Sequence, residues 1–403
     1  MTKRCQLLLS FLLLFPTFSA PSFAADPAKL AAIRERMQQF VADGELSGAV
    51  TVVGTPDKIL HHEAVGFRNL ETRQPMTKDT LFKIASMTKP ITAIAIMMLA
   101  DEGKLSPDDP VEKHLPEFRG QMLVAERGKD TLTLKKPCRP ITIHDLLTHT
   151  SGLPGGYPPG LSDLYRSRNR TLAEATLVIS QQPLQFEPGT KWAYCNAGID
   201  TLGRIVEVVS GQPFEKFLQT RLFDPLGMTD TTFYPSKPQR DRLAVVYGSD
   251  NGKLAPSRSL ILECPDMGAK HPVPAGGLYS TGADLAKLYQ MMLHHGQWQG
   301  QQLLSKKAVA TMTRLQTADI PTGFTTGMGW GYGFAVVREP SGVTGMLSPG
   351  SYGHGGAFGT QGWIDPKKSL FTILLIQRTG LKNGDASAMR EALQSLAVQA
   401  VSK

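Results

Sequence analysis

The chain is poor in cysteine: Cys5, Cys138, Cys195 and Cys264 are the four in 403 residues. None stands in a C-x-x-C pair, which argues against a structural zinc site. There is no H-E-x-x-H, so the helical zinc-hydrolase signature is missing. There is no G-x-S-x-G either, which disfavours the strand-turn-helix elbow of the α/β-hydrolases. Past the first two dozen residues, no apolar run is long enough to span a bilayer. Internal repeats and long low-complexity segments are absent, which excludes a solenoid. What remains is a chain of ordinary globular composition, 41% hydrophobic and 19% charged, long enough for one large or two intergrown domains.

The first 24 residues read as a secretory signal. Lys3 and Arg4 form a basic start, Leu7 to Pro16 an apolar stretch, and Ser22-Phe23-Ala24 a small-x-small cleavage site. The expected mature chain starts at Ala25 and is secreted or periplasmic. Cys5 precedes the apolar stretch and is not placed for lipid attachment. Loss of Lys3 and Arg4 lowers the net charge from +8 to +6. That charge is spread along the chain and reads as a solvated surface, with no nucleic-acid patch. Three cysteines then remain, so at least one is unpaired within the chain. A single disulfide among them is possible, with partners open.

Ser86 and Lys89 stand three residues apart in Phe82-Lys83-Ile84-Ala85-Ser86-Met87-Thr88-Lys89-Pro90. The apolar run Ile91 to Ala100 behind them spans about three helical turns. A helix starting near Ser86 or Met87 puts Pro90 in or beside its first turn, where a missing N–H is tolerated. The serine and lysine then share one face. A serine hydroxyl needs a base. A lysine in an apolar wall can be lowered from about 10.4 to roughly 7–8, which suits it to that task.

Elsewhere, Asp26-Pro27 opens a helix ended by Gly44, and Ala49–Val53 with Ile59–Phe67 reads as a hairpin. Pro- and Gly-rich connections are expected at 103–140, and a surface loop at Tyr157–Ser167. Thr142 to Asp145 has the form of a capping box. It leads to Leu146-Leu147-Thr148-His149-Thr150-Ser151-Gly152-Leu153, where His149 reads as a structural residue at a helix end. Tyr194-Cys195-Asn196 precedes an amphipathic helix stopped by Gly211. Thr281 and Asp284 cap a further helix. His294 and His295 at its end read as surface residues and not metal ligands. Gly333–Val337, Thr360–Ile364 and Leu370–Ile376 read as strands, with Gly353-His354-Gly355-Gly356-Ala357 between them, and a last helix carries Met389, Leu393 and Leu396.

The four segments around Ser86, His149, Tyr194 and His354, in that order, resemble the serine beta-lactamase superfamily, most of all its class C branch. That branch includes family VIII carboxylesterases, D-alanyl-D-alanine carboxypeptidases and D-aminopeptidases. The resemblance runs from about Leu30 to Ile376. It implies an α+β, beta-lactamase/transpeptidase-like fold: an antiparallel sheet flanked by helices, built from 25–80 and 320–403. A mostly helical domain, 81–319, is inserted, with the active site at the junction. It implies that Ser86 is the acylated nucleophile, Lys89 its base and Tyr194 a second base. Asn196 would orient the substrate amide or Lys89. Ala357, past Gly355 and Gly356, would pair its N–H with that of Ser86 in an oxyanion hole. A neighbouring ammonium should lower the Tyr194 phenol.

Two residues depart from the common pattern. Cys195 stands where serine is common, its thiol close to the site. His354 stands where most beta-lactamases carry lysine. With a reference pKa of about 6.5 it is mostly neutral near neutral pH, which weakens the case for carboxylate-bearing substrates. The reading is an exported serine hydrolase acting on small carboxylic esters through an acyl-enzyme. The alternatives are a beta-lactamase or D-amino-acid peptidase and, in another class, an inactive peptidoglycan-binding relative. The expected partner is a small ester, beta-lactam or D-amino-acid peptide, with no cofactor, no metal, no nucleic acid and no membrane anchor. The oligomeric state leaves no mark in the sequence.

Overall fold

The computed structural model describes residues 25–156, 158, 160–161, 168–257 and 269–401. The expected leader, most of the expected loop at Tyr157–Ser167, and Cys264 lie outside these residues.

Helix α1 (Pro27–Ala42) is capped by Asp26, whose carboxylate accepts from the N–H groups of Ala28 and Lys29. Strands β1 (Gly48–Gly54) and β2 (Ile59–Asn69) form the expected hairpin, and β3 (Gln74–Pro75) adds a short edge. At the other end of the chain come β4 (Met328–Trp330), β5 (Ala335–Val337), β6 (Tyr352–Gly355), β7 (Gln361–Asp365) and β8 (Leu370–Leu375). All eight join in one antiparallel sheet, ordered β4-β5-β6-β7-β8-β1-β2-β3. The two chain ends meet where β1 pairs with β8, Val52 opposite Ile373. Alternate side chains of these strands serve two cores. Ala49, Val53, Leu370 and Leu374 pack with α1 and the last helix, α6 (Ala388–Val401), through Ile33, Phe40, Met389 and Leu393. Val50, Val52, Ile373 and Leu375 face the larger core.

That larger core is threaded by α2 (Thr88–Asp101), buried from Thr88 through Leu99. A helix apolar on all sides belongs inside a protein, and α2 lies between the sheet and the helical middle. That middle contributes α3 (Ile143–Thr148), α4 (Asn196–Ser210) and α5 (Gly282–Leu293). The expected caps are present: Thr142 and Asp145 make a full capping box, Gly211 closes α4 at φ +72°, and Thr281 accepts from the Asp284 N–H.

Among the differences between the structure and the sequence expectation, three stand out. The region 103–140 is not all connection, because Leu123–Arg127 and Leu132–Lys135 pair as a small hairpin. The Leu-Thr-Leu-Lys alternation favours a strand there, and the density of Pro and Gly around it masked the signal. Strand β5 begins at Ala335 and not Gly333, since Gly333 bends at φ +71° over the Lys89 carbonyl. Three-residue β4 went unread because Met-Gly-Trp is too short to show a period.

Candidate active site

Helix α2 does not begin at Ser86. A tight 3-10 turn, Ala85–Met87, precedes it, with Ala85 in the left-handed region at φ +47°. A non-glycine residue there carries strain. The turn is held by the Thr88 hydroxyl, which donates to the Ala85 carbonyl at 2.7 Å and accepts from the Leu278 N–H. Ser86 is thus presented half-buried at the head of α2, with Lys89 one turn on and 0% exposed.

Lys89 Nζ lies 3.0 Å from Ser86 Oγ, 2.8 Å from Asn196 Oδ1 and 2.7 Å from the Ala275 carbonyl. The two oxygens of Asn196 and Ala275 can only accept. A neutral amine has two hydrogens to give them, which leaves its lone pair for the Ser86 hydroxyl. Burial lowers Lys89 to about 7, against the opposing charge of Asp200. The neutral amine is therefore accessible near neutral pH, and the geometry aims it at Ser86.

Tyr194 sits beneath this pair. Its hydroxyl is hydrogen-bonded to Ser86 and lies 3.5 Å from His354 Nε2, while Lys89 Nζ stands 4.6 Å over its ring centroid. The expected lowering of the phenol is not found: burial pushes Tyr194 up well above its ordinary value, and only the Ser86 hydrogen bond pulls the other way. The physical reason is geometric. The cation meets the ring face and not the oxygen, and it is already committed to three other acceptors.

His354 is buried, and its Nδ1–H donates to the Gly355 carbonyl at 2.6 Å. A carbonyl cannot donate, so Nε2 carries the lone pair and faces the Tyr194 hydroxyl. Burial first, then the Lys89 charge, lowers His354 to about 3. It is a neutral acceptor, as the sequence suggested. The strand it lies on runs close to the serine turn. A Cβ on Gly356 would stand 2.1 Å from Thr360 Oγ1 and 2.5 Å from the Ile84 carbonyl, and one on Gly355 2.1 Å from Asp385 Oδ1. Glycine is needed at both positions for that approach. Ala357, next along, is exposed on this rim.

His149 has the structural place assigned to it. It ends α3 in the left-handed region at φ 60°, accepts the Cys195 N–H on Nδ1 at 3.1 Å, and accepts the Ala193 N–H on its carbonyl at 2.9 Å. The loop on both sides of Tyr194 is thereby fixed. Cys195 caps α4: its Sγ accepts the Gly198 N–H and donates to the Pro154 carbonyl, each at 3.3 Å. Burial pushes the thiol up to about 12, which keeps it protonated and unreactive.

The structure thus gathers Ser86, Lys89, Tyr194, Asn196 and His354 into one cluster, with Gly355, Gly356 and Ala357 on its rim. Sequence reasoning missed the Ala275 carbonyl, which carries no residue-type signal. It also missed Asp200, an acid on the apolar face of α4 four residues after Asn196, and that spacing was legible. An aromatic wall went unread as well. Tyr194 packs against Trp330 at 6.1 Å and edge-on against Phe324 at 5.1 Å, and Trp192 meets Phe324 at 5.8 Å.

A half-buried serine and a fully buried lysine beside a tyrosine, at the junction of an antiparallel sheet and a helical middle, fit a serine hydrolase. Residues 33–396 match the Beta-lactamase family model, and the chain belongs to that family. It is 31% identical to esterase EstB of Burkholderia gladioli over 92% of this chain and 97% of EstB. It is 30% identical to a D-alanyl-D-alanine carboxypeptidase-like protein of Escherichia coli (strain K12), over 93% of this chain and 90% of that one. The solved structure of EstCE1, a hydrolase with promiscuous acyltransferase activity, shares the fold with a TM-score of 0.76 at 24% identity, over 93% of this chain and 99% of that one.

Proposed function

We propose that the protein is an exported carboxylesterase that hydrolyses small uncharged esters through an acyl-enzyme on Ser86. The observation that carries this reading is the Lys89 amine, fully buried, 3.0 Å from Ser86 Oγ and lowered to about 7. The amine takes the hydroxyl proton as Ser86 attacks the ester carbonyl. The N–H groups of Ser86 and Ala357 receive the developing oxyanion, worth roughly 3 kcal/mol for one such donor in other hydrolases. Tyr194, kept protonated by burial, passes its proton to the leaving alkoxide. Water then attacks the acyl-enzyme with the proton flow reversed, which frees Ser86. Asn196 holds Lys89, and neutral His354 accepts from Tyr194.

The preference for uncharged esters rests on His354. A neutral imidazole offers a substrate carboxylate no full positive charge, and a charge-assisted bond is about twice as strong as a neutral one. The aromatic wall supports an apolar acyl or alcohol group, since Phe324 remains 48% exposed beside Tyr194. Export rests on the sequence of residues 1–24, and a mature protein starting at Met1 would contradict it.

Two measurements test the reading. A serine-directed acylating probe should add mass to the wild type and not to Ser86→Ala; labelling that survives the change removes Ser86 as nucleophile. On one purified sample, p-nitrophenyl acetate or butyrate should exceed a cephalosporin and D-alanyl peptides in kcat/KM. The reverse order would make the protein a beta-lactamase or D-amino-acid peptidase, and no turnover of any would make it a silent binding relative.

A further inference from the structure

Asp200 is 0% exposed and lies one turn after Asn196 on the buried face of α4. Its Oδ1 accepts the Ala275 N–H at 2.9 Å, and the carbonyl of the same residue accepts from Lys89 Nζ at 2.7 Å. The preceding carbonyl, Pro274, accepts from the Thr92 hydroxyl of α2 at 2.8 Å. The Pro274–Ala275 backbone is therefore clamped between α2 and α4. The clamp is close: a Cβ on Gly203 of α4 would stand 2.2 Å from Pro274 Cγ. A backbone carbonyl is a good partner for an amine only if it cannot swing away, and here Asp200 stops it from swinging.

The carboxylate also acts on Lys89 through its charge. Around the amine stand Ser86 in the turn before α2, Tyr194, Cys195 and Asn196 at the head of α4, His149 at the end of α3, and His354 on β6. Burial keeps the thiol and the phenol protonated and both imidazoles neutral. Among the described residues, that leaves Asp200 as the negative charge that favours the ammonium form, against burial. A buried amine without it would lose its proton more readily and be a weaker base.

We propose that Asp200 is a positioning residue for the base: through the Ala275 peptide it orients Lys89 toward Ser86, and through its charge it preserves the basicity of that amine. This rests on the reading of Lys89 as the base that activates Ser86. A carboxylate with only a structural role needs only to accept hydrogen bonds such as that of the Ala275 N–H, and an amide oxygen at the same place could accept that one equally well.

The test is the pH profile of kcat/KM for p-nitrophenyl acetate with the full mature chain, followed in parallel by the rate of Ser86 acylation by a serine-directed probe. Wild type should show an acid limb near pH 7, absent in Lys89→Ala; without that limb the reading of Lys89 itself fails, whatever Asp200 does. Given the limb, Asp200→Asn should move it down by about one pH unit. Asp200→Ser, smaller and also uncharged, reads the same limb should the amide variant not fold. Asp200→Glu restores the charge but misplaces it, so its limb should return to within about 0.3 unit of wild type while its plateau falls. A limb unmoved by both uncharged variants, or moved alike by the glutamate, would reduce Asp200 to a structural residue and overturn the proposal.

Discussion

As the proposed base, Lys89 should decide the pH response of the site. A group that must be deprotonated to act, and that titrates at about 7, gives a kcat/KM that falls about tenfold per pH unit below that value. Tyr194 stays protonated throughout the neutral range, so it adds no second limb there. Lys89→Ala and Tyr194→Phe should each reduce turnover by roughly 10² or more. Because the proposed mechanism places both in one proton relay, the double variant should lose much less than the product of the two factors; steady-state kinetics on the four proteins measures this. At His354 the prediction concerns choice of substrate. His354→Lys puts a cation where a neutral acceptor stands, and should shift the ester-to-cephalosporin ratio of kcat/KM toward the cephalosporin by about tenfold. An unmoved ratio in the same two assays would show that His354 does not set the preference.

At the scale of elements, the site depends on how closely the end of β6 approaches the serine turn. Gly356→Ala would press a methyl group onto Thr360 Oγ1 and the Ile84 carbonyl. Relieving that overlap moves the strand end away from Ser86, with an expected cost of about 1–3 kcal/mol in stability. Activity should fall further than stability does, which is read by comparing kcat/KM with the denaturation midpoint of the same variant. The head of α4 gives the opposite contrast. Cys195→Ser preserves the cap that holds Gly198 and should retain activity. Cys195→Ala loses the cap and should cost about 1 kcal/mol of stability, with Ser86 labelling intact. Abolished labelling in the serine variant would mean that the thiol takes part in the chemistry.

For the whole molecule, buried histidines set the acid limit. His354 titrates at about 3 and His61 at about 4 when folded, both lowered chiefly by burial, against about 6.5 unfolded. In that interval the unfolded chain binds more protons than the native one, so stability rises with pH. The contribution is complete above about pH 6.5 and is lost progressively as pH falls toward 3 to 4, at up to roughly 1.4 kcal/mol per unit for each group. Thermal unfolding should therefore show a lower Tm at pH 5 than at pH 7, and His61→Gln should flatten part of that difference. A Tm that does not change between these pH values would contradict the assignment of both imidazoles as neutral.

The residues proposed to do the chemistry were legible in the chain because each lies in a short segment whose local structure its neighbours determine. Ser86 and Lys89 are one helical turn apart, Tyr194 and Asn196 flank a helix start, and Gly355-Gly356 marks a strand that must approach another backbone. The caps at Thr142 and Thr281 and the pairing of β1 with β2 were legible for the same reason. Contacts between segments distant in sequence were not. Nothing near residue 275 announces that its carbonyl receives Lys89, 186 positions away, because every residue has a carbonyl. Nor does the tyrosine motif reveal that the lysine meets the ring face and not the hydroxyl; that is why the phenol was expected to fall and burial instead raised it. Residue type and spacing determined which groups could react. Their charge states depend on depth of burial and on partners from other segments, and only the packing of α2, α4 and the sheet decided those.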